Sequence, residues 1–260
     1  MPVGVDAGLA EIVLLALAAA FAGWIDAVSG GGGLVQVPAL LVLLPGATPA
    51  QVLATNKVSS VAGTAVAAWT YLRRVRPDLR TAVPMALVAG AGAAAGASFA
   101  LYLPVSVFRP LVLVLSVLVA LYTLRRPSLG EVEALRWAGG RHYAAALLAG
   151  AVIGFYDGIF GPGTGSFLVF ALVGLVGYSF LQASAKARVV NLCTNLGALM
   201  IFIPQGAPLW RLGLLMAAGN VVGSWVGAHT AITRGSGFVR GVFLAVVGLL
   251  VLRLGFDIVR

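Results

Sequence analysis

The chain is short of charge: 10% of its residues are charged against 60% that are hydrophobic, and only eight of its 260 residues are acidic. A soluble domain of useful size needs a polar surface, and no stretch supplies one, so the composition is that of a polytopic membrane protein. Lysine is almost absent, with Lys57 and Lys186 the only two. Cys193 stands alone in an apolar segment, which excludes an internal disulfide and a thiolate zinc set; no metal or cofactor is expected. No basic residue precedes the first apolar run, which starts at Leu9, so the charged region of a secretory signal is missing and the first helix is expected to stay. The net charge of +9 comes largely from arginines in short connections and at span ends. That is positive-inside topology, and no nucleic acid is expected as a partner.

What the chain does have is glycine in runs. Gly30-Gly31-Gly32-Gly33 separates an apolar run at 9–28 from a shorter one at 34–44. Adding 131 to the numbering finds the pattern again: Gly161-Pro162-Gly163-Thr164-Gly165 lies between apolar runs at 143–159 and 167–176. A glycine run frees backbone amides, and within a bilayer it is tolerated only where protein or a water-filled cavity satisfies them. Two such breaks at matching places in two halves point to a transporter's binding site.

Further spans are expected at 50–72, 82–103, 105–124, 180–203, 212–232 and 238–256. The loop at 73–80 carries four arginines and is assigned to the cytoplasm. Ser128 to Glu131 fits a capping box opening a short helix through Trp137. The offset of 131 pairs Asp26 with Asp157, Lys57 with Arg188, Ser60 with Asn191, Thr64 with Asn195, Met85 with Met216, Gly92 with Gly223 and Gly96 with Gly227, with one extra residue needed locally after Gly163. The fold expected is therefore all-α, with two homologous four-segment repeats, each opening on a glycine-broken segment. The N-terminal repeat is 1–124, the polar linker 125–141 and the C-terminal repeat 142–260. Arginine counts leave parallel and inverted halves open. The short second runs favour inversion, because about 11 residues of helix reach only about 16 Å of a roughly 30 Å hydrocarbon layer.

Charges deep in a membrane are costly and usually functional. Here they are Asp26, Lys57, Asp157, Lys186 and Arg188. Lys57, Ser60 and Thr64 share one helical face, as do Arg188, Asn191 and Asn195. One reading puts a small anion between these stripes, held by Lys57, Lys186 and Arg188, by Ser60 and Asn191, by Gln36 and Ser166 beyond the breaks, and by amides of Gly31, Gly32, Gly33, Gly163, Thr164 and Gly165. The other makes Asp26 with Lys57, and Asp157 with Lys186 or Arg188, internal ion pairs. Three cations against two carboxylates favour the anion. Asp26 and Asp157 either cap the second half-helices or carry a coupling proton. The glycine spacing at Gly92 and Gly96 and at Gly219, Gly223 and Gly227 suits close helix packing, and His229 is read as a packing residue.

Gly23-Trp24-Ile25-Asp26-Ala27-Val28-Ser29 with the four glycines after it, then Ala54-Thr55-Asn56-Lys57, Gly154-Phe155-Tyr156-Asp157-Gly158-Ile159-Phe160-Gly161-Pro162-Gly163-Thr164-Gly165, Ala185-Lys186, Asn191 and Gly219-Asn220-Val221-Val222-Gly223 resemble the TauE/SafE family of sulfite and organosulfonate exporters. The likeness covers essentially the whole chain and adds Asn56 to the candidate site. It implies a multi-pass transporter in a bacterial or archaeal inner membrane that moves small sulfur-containing anions such as sulfite or sulfoacetate, with a homodimer left open. Two other functions compete. A small-anion channel shares the site chemistry. An intramembrane aspartyl protease would need both carboxyls within a few ångströms of each other, and its Gly-x-Gly-Asp motif is missing.

Overall fold

The computed structural model describes residues 9–102, 135–137 and 139–259, and every regular element among them is a helix. The expected span at 105–124 and most of the linker helix lie outside the described residues. The first broken segment is α1 (Leu9–Ser29) and α2 (Gly33–Leu43), followed by α3 (Pro49–Arg74) and α4 (Leu79–Ala100). The second is α5 (Gly140–Ile159) and α6 (Thr164–Ala171), which a π turn at Leu172–Val176 extends, and it leads into α7 (Phe180–Phe202) and α8 (Trp210–Val259), interrupted at Gly235.

Local chemistry explains the boundaries. Thr48 opens α3 with a capping box: its hydroxyl accepts from the Gln51 amide at 3.2 Å, and its own amide donates to Gln51 Oε1 at 2.9 Å, with Pro49 in the first turn. Asp78 caps α4 by accepting from the Arg80 amide, and the Ser179 hydroxyl caps α7 by accepting from the Gln182 amide. Arg73 and Arg74 end α3 where cations suit the helix dipole. The caps shorten the arginine loop to residues 75–78.

Among the described residues, three helices are long and apolar enough to cross a membrane by length and composition: Ala10–Ser29, Leu79–Ala100 and Gly140–Ile159. Their outward faces expose large apolar side chains, among them Leu17, Phe21, Leu87, Leu148 and Val152, while polar residues such as Thr55, Asn56, Ser59 and Asn191 are buried. Apolar outside and polar inside is the arrangement that a lipid solvent selects.

Glycines let the helices approach backbone to backbone. Gly92 and Gly96 of α4 lie on the carbonyls of Ala151 and Phe155 in α5, and Gly223 and Gly227 of α8 lie on those of Ala20 and Trp24 in α1. An added Cβ at any of the four would clash with a backbone oxygen. Gly223→Val is thus expected to cost about 1–3 kcal/mol or more by overpacking, read as a fall in the unfolding midpoint, whereas Gly140→Ala, with open space around it, is expected to be silent.

These contacts also give direction. Ala16, Ala20 and Trp24 meet Gly219, Gly223 and Gly227 in step, so α1 runs with α8, and Thr55, Val58 and Gly63 meet Leu209, Gly213 and Asn220 in step, so α3 runs with α8 too. By the same test α4, α5 and α7 run together: Asp78 meets Lys186 and Gly90 meets Cys193, while Gly92 and Gly96 meet Ala151 and Phe155. Four residues join α3 to α4 while both pack on α7, so the two sets are antiparallel. Tyr71, late in α3, donates to the Ala27 carbonyl near the end of α1 at 2.9 Å. The chain must therefore return through α2 before α3 begins, and the first broken segment is a hairpin.

Candidate functional site

The two breaks touch. The Ser166 amide donates to the Gly30 carbonyl at 3.0 Å, the Ser166 hydroxyl reaches the Ser29 carbonyl at 3.3 Å, and Gly30 and Gly165 lie backbone against backbone. Gly30, Gly161 and Gly163 have φ of 90°, 80° and 81°, which no β-carbon favours and which ends a helix abruptly. The Tyr156 hydroxyl steadies the second break by donating to the Pro162 carbonyl at 2.6 Å.

Between the breaks lies a polar cavity of about 20 Å³. Asp26, Gly30 and Gly33 line it from the first hairpin and Asp157, Gly161, Thr164 and Gly165 from the second. Helix α3 contributes Asn56, Lys57 and Ser60, and α7 contributes Asn191 and Asn195. Lys57 Nζ lies 2.5 Å from Asp157 Oδ2, and Arg188 Nη1 lies 3.1 Å from Asp26 Oδ2. These four residues are buried, with Arg188 wholly so at 0% exposure. The Thr164 hydroxyl is 2.6 Å from Asp157 Oδ1 and 2.8 Å from the Gly161 carbonyl, with one proton to share. Beyond the Nη1 contact with Asp26, Arg188 Nε and Nη2 have no acceptor among the described residues, and Asn56 Oδ1 and Asn195 Nδ2 are likewise buried without hydrogen-bond partners.

Several sequence expectations change at this point. The ion pairs are crossed: Lys57 joins Asp157 rather than Asp26, and Asp26 joins Arg188. Neither carboxylate caps a half-helix, since the N-cap positions of α2 and α6 are Gly32 and Gly163, without side-chain cap bonds. Lys186 is not at the cavity. It donates to the Asp78 carbonyl at 2.9 Å and lies 4.3 Å over the Tyr178 ring. Burial acts to raise the Asp78 carboxyl there, but bonds from the Arg80 amide and the Thr81 hydroxyl, with the Lys186 charge, hold it below the ordinary carboxylate value. The excess of cations at the site is therefore gone, and the two pairs leave it neutral.

Gln36 and Ser166 are buried but used within the protein: Gln36 Nε2 donates to Ser59 Oγ at 3.0 Å, and Ser59 also accepts from Asn220 at 3.3 Å. Gly31 accepts from Leu34, and Gly32 packs on the Asp26 side chain. Sequence reasoning did not name Gly30 or Gly161 as site residues, although the offset paired them, and it placed Asn195 only on the stripe that it shares with Asn191.

A buried, charge-lined cavity between two broken helical segments is the arrangement expected of a membrane transporter, and the comparisons with known proteins point to transport. The chain belongs to the sulfite exporter TauE/SafE family, whose profile matches residues 15–254. It is 37% identical over 246 residues to the probable membrane transporter protein ORF9 of a Sinorhizobium species, covering 95% of this chain and 93% of that one. It is 34% identical to the probable membrane transporter protein YfcA of Escherichia coli K12, over 94% of this chain and 89% of the relative. A probable membrane transporter protein of Haemophilus influenzae is 32% identical over 97% of each chain. No solved structure matches the chain.

Proposed function

We propose that the protein exports a small sulfur-containing anion, sulfite or an organosulfonate, across the bacterial or archaeal inner membrane in a proton-coupled cycle. The observation that carries this reading is Arg188. A buried guanidinium presents five N–H donors, and here Nη1 faces Asp26 Oδ2 at 3.1 Å while Nε and Nη2 have no acceptor among the described residues. An oxyanion satisfies such a fork in bidentate geometry. The profile's own description, sulfite exporter, supports the substrate class and direction.

The pairs suggest how charge is kept in balance. Protonating Asp157 leaves Lys57 without its counter-charge, and an arriving anion takes the vacated role; protonating Asp26 does the same for Arg188. Proton and anion then favour each other's binding, because a lone buried charge costs several kcal/mol. The cavity of about 20 Å³ has room for little more than one water, so an anion must widen it, and the conformation described is closed.

We also propose that residues 1–124 and 142–260 are inverted repeats. Exchanging the halves by the offset of 131 turns the Lys57–Asp157 pair into Arg188–Asp26, and the Gly92–Ala151 and Gly96–Phe155 contacts into Gly223–Ala20 and Gly227–Trp24. The opposed directions of α1 and α5 support inversion over a parallel arrangement.

The test is sulfite flux in proteoliposomes with and without an imposed pH gradient. Wild type is expected to accumulate sulfite uphill when the gradient drives it, which a channel cannot do. Asp157→Asn and Asp26→Asn are expected to bind sulfite and lose the response to the gradient. If both variants keep the wild-type response, the carboxylates are not the coupling site.

A further inference from the structure

Away from the cavity, α3 and α8 enclose an open groove of about 470 Å³ on the outside of the protein. Its wall is Ala65, Val66, Trp69 and Trp225, and its rim is Arg73, Arg74 and His229. We propose that this groove is a binding site for an anionic phospholipid, with the headgroup phosphate on the rim and an acyl chain along the wall.

Four observations support the assignment. Charge comes first: the rim has two arginines, and no carboxylate lines the groove. The groups are also arranged in advance. The Arg73 guanidinium lies 4.1 Å over the Trp69 ring, and the His229 ring is 4.7 Å from that of Trp225 with Nδ1 held 2.8 Å from the Trp225 carbonyl. Depth fits as well: from Arg73 to Ala65 is about 12 Å along the helix, close to one leaflet of a roughly 30 Å core. Tryptophan beside arginine at that level is the chemistry of the headgroup boundary.

The fourth observation uses the proposed inverted repeat as a control. The offset of 131 carries Trp69, Arg73, Arg74, Trp225 and His229 onto Met200, Pro204, Gln205, Ala94 and Ser98. The backbone chemistry survives the exchange, because Ser98 bonds the Ala94 carbonyl as His229 bonds that of Trp225. Every cation and both tryptophans are lost. Inverted halves put the two repeat-related surfaces in opposite leaflets, so an anionic lipid is selected in the leaflet of the arginine loop alone. Anionic lipids of the cytoplasmic surface carry the complementary potential.

The experiment measures binding of phosphatidylglycerol and phosphatidylcholine to the full-length protein in detergent, by native mass spectrometry and by the shift in unfolding temperature. Wild type should prefer phosphatidylglycerol, and the preference should weaken with salt. Each arginine near the membrane surface is worth about fivefold in affinity, so Arg73→Gln/Arg74→Gln should reduce it by about thirtyfold. His229→Ala should reduce it less, and Met200→Ala/Gln205→Ala should leave it unchanged. Equal binding of the two lipids, or a preference that survives the double arginine variant, overturns the proposal. So does glycerol phosphate protecting as well as the lipid, which makes the rim a site for soluble anions, or a change of oligomeric mass in the double variant, which makes the groove a contact between copies.

Discussion

Replacing Lys57 by methionine should destabilise the protein by roughly 3–5 kcal/mol near neutral pH and end transport. The Lys57–Asp157 pair is 1% exposed on the lysine side and 2% on the aspartate side, so removing one partner strands a buried charge. The Thr164 hydroxyl, 2.6 Å from Asp157 Oδ1, does not replace an ammonium. Neutralising the aspartate in the same chain, Lys57→Met/Asp157→Asn, should recover most of the lost stability, because a buried pair replaced by neutral groups of similar volume is often close to neutral overall. It should not recover transport, which needs both charges. Unfolding midpoints of the three proteins near neutral pH, beside sulfite flux, test this. Equal stability of single and double variants would falsify the account of the pair.

Gly30→Ala should be as damaging without touching a charge. Gly30 sits at φ 90° with its α-carbon against the Gly165 carbonyl. A methyl there is strained by about 1–3 kcal/mol for the backbone conformation and by a comparable amount for the clash. It also pushes apart the hairpins that the Ser166 amide joins through the Gly30 carbonyl. The folded yield in detergent should collapse, while Gly46→Ala, with nothing within 4 Å, serves as the neutral control. A normal midpoint for Gly30→Ala would mean that the breaks are not in contact.

Much of this was legible in the residues themselves. Glycine runs declare themselves because no helix tolerates four together, and rare buried charges stand out from an apolar background. The offset of 131 then linked Asp26 to Asp157 and Lys57 to Arg188. It was silent on which half each side chain faces, because periodicity describes one helix at a time and not its neighbours. The crossed pairs are a tertiary fact of that kind. Lys186 is a different case: it lies two residues before Arg188, about 200° around the helix, so the two could not share a site once Arg188 faced inward. Gln36 and Ser166 were read as donors to a ligand because they follow the breaks, but closer internal partners, Ser59 and the Ser29 carbonyl, claim them. The returning path of α2 was suggested by its length alone and followed from the level at which Tyr71 meets Ala27.

The volume of the closed cavity has one further consequence. Protons cross membranes readily along files of hydrogen-bonded water, and a carrier that leaves such a file standing between turnovers dissipates the gradient that drives it. About 20 Å³ holds roughly a single water, and the touching backbones of Gly30 and Gly165 close the space beside it. One molecule has no successor to hand its proton to. For the proton-coupled cycle proposed above, a centre this small offers, in this conformation, no water file along which the gradient would leak.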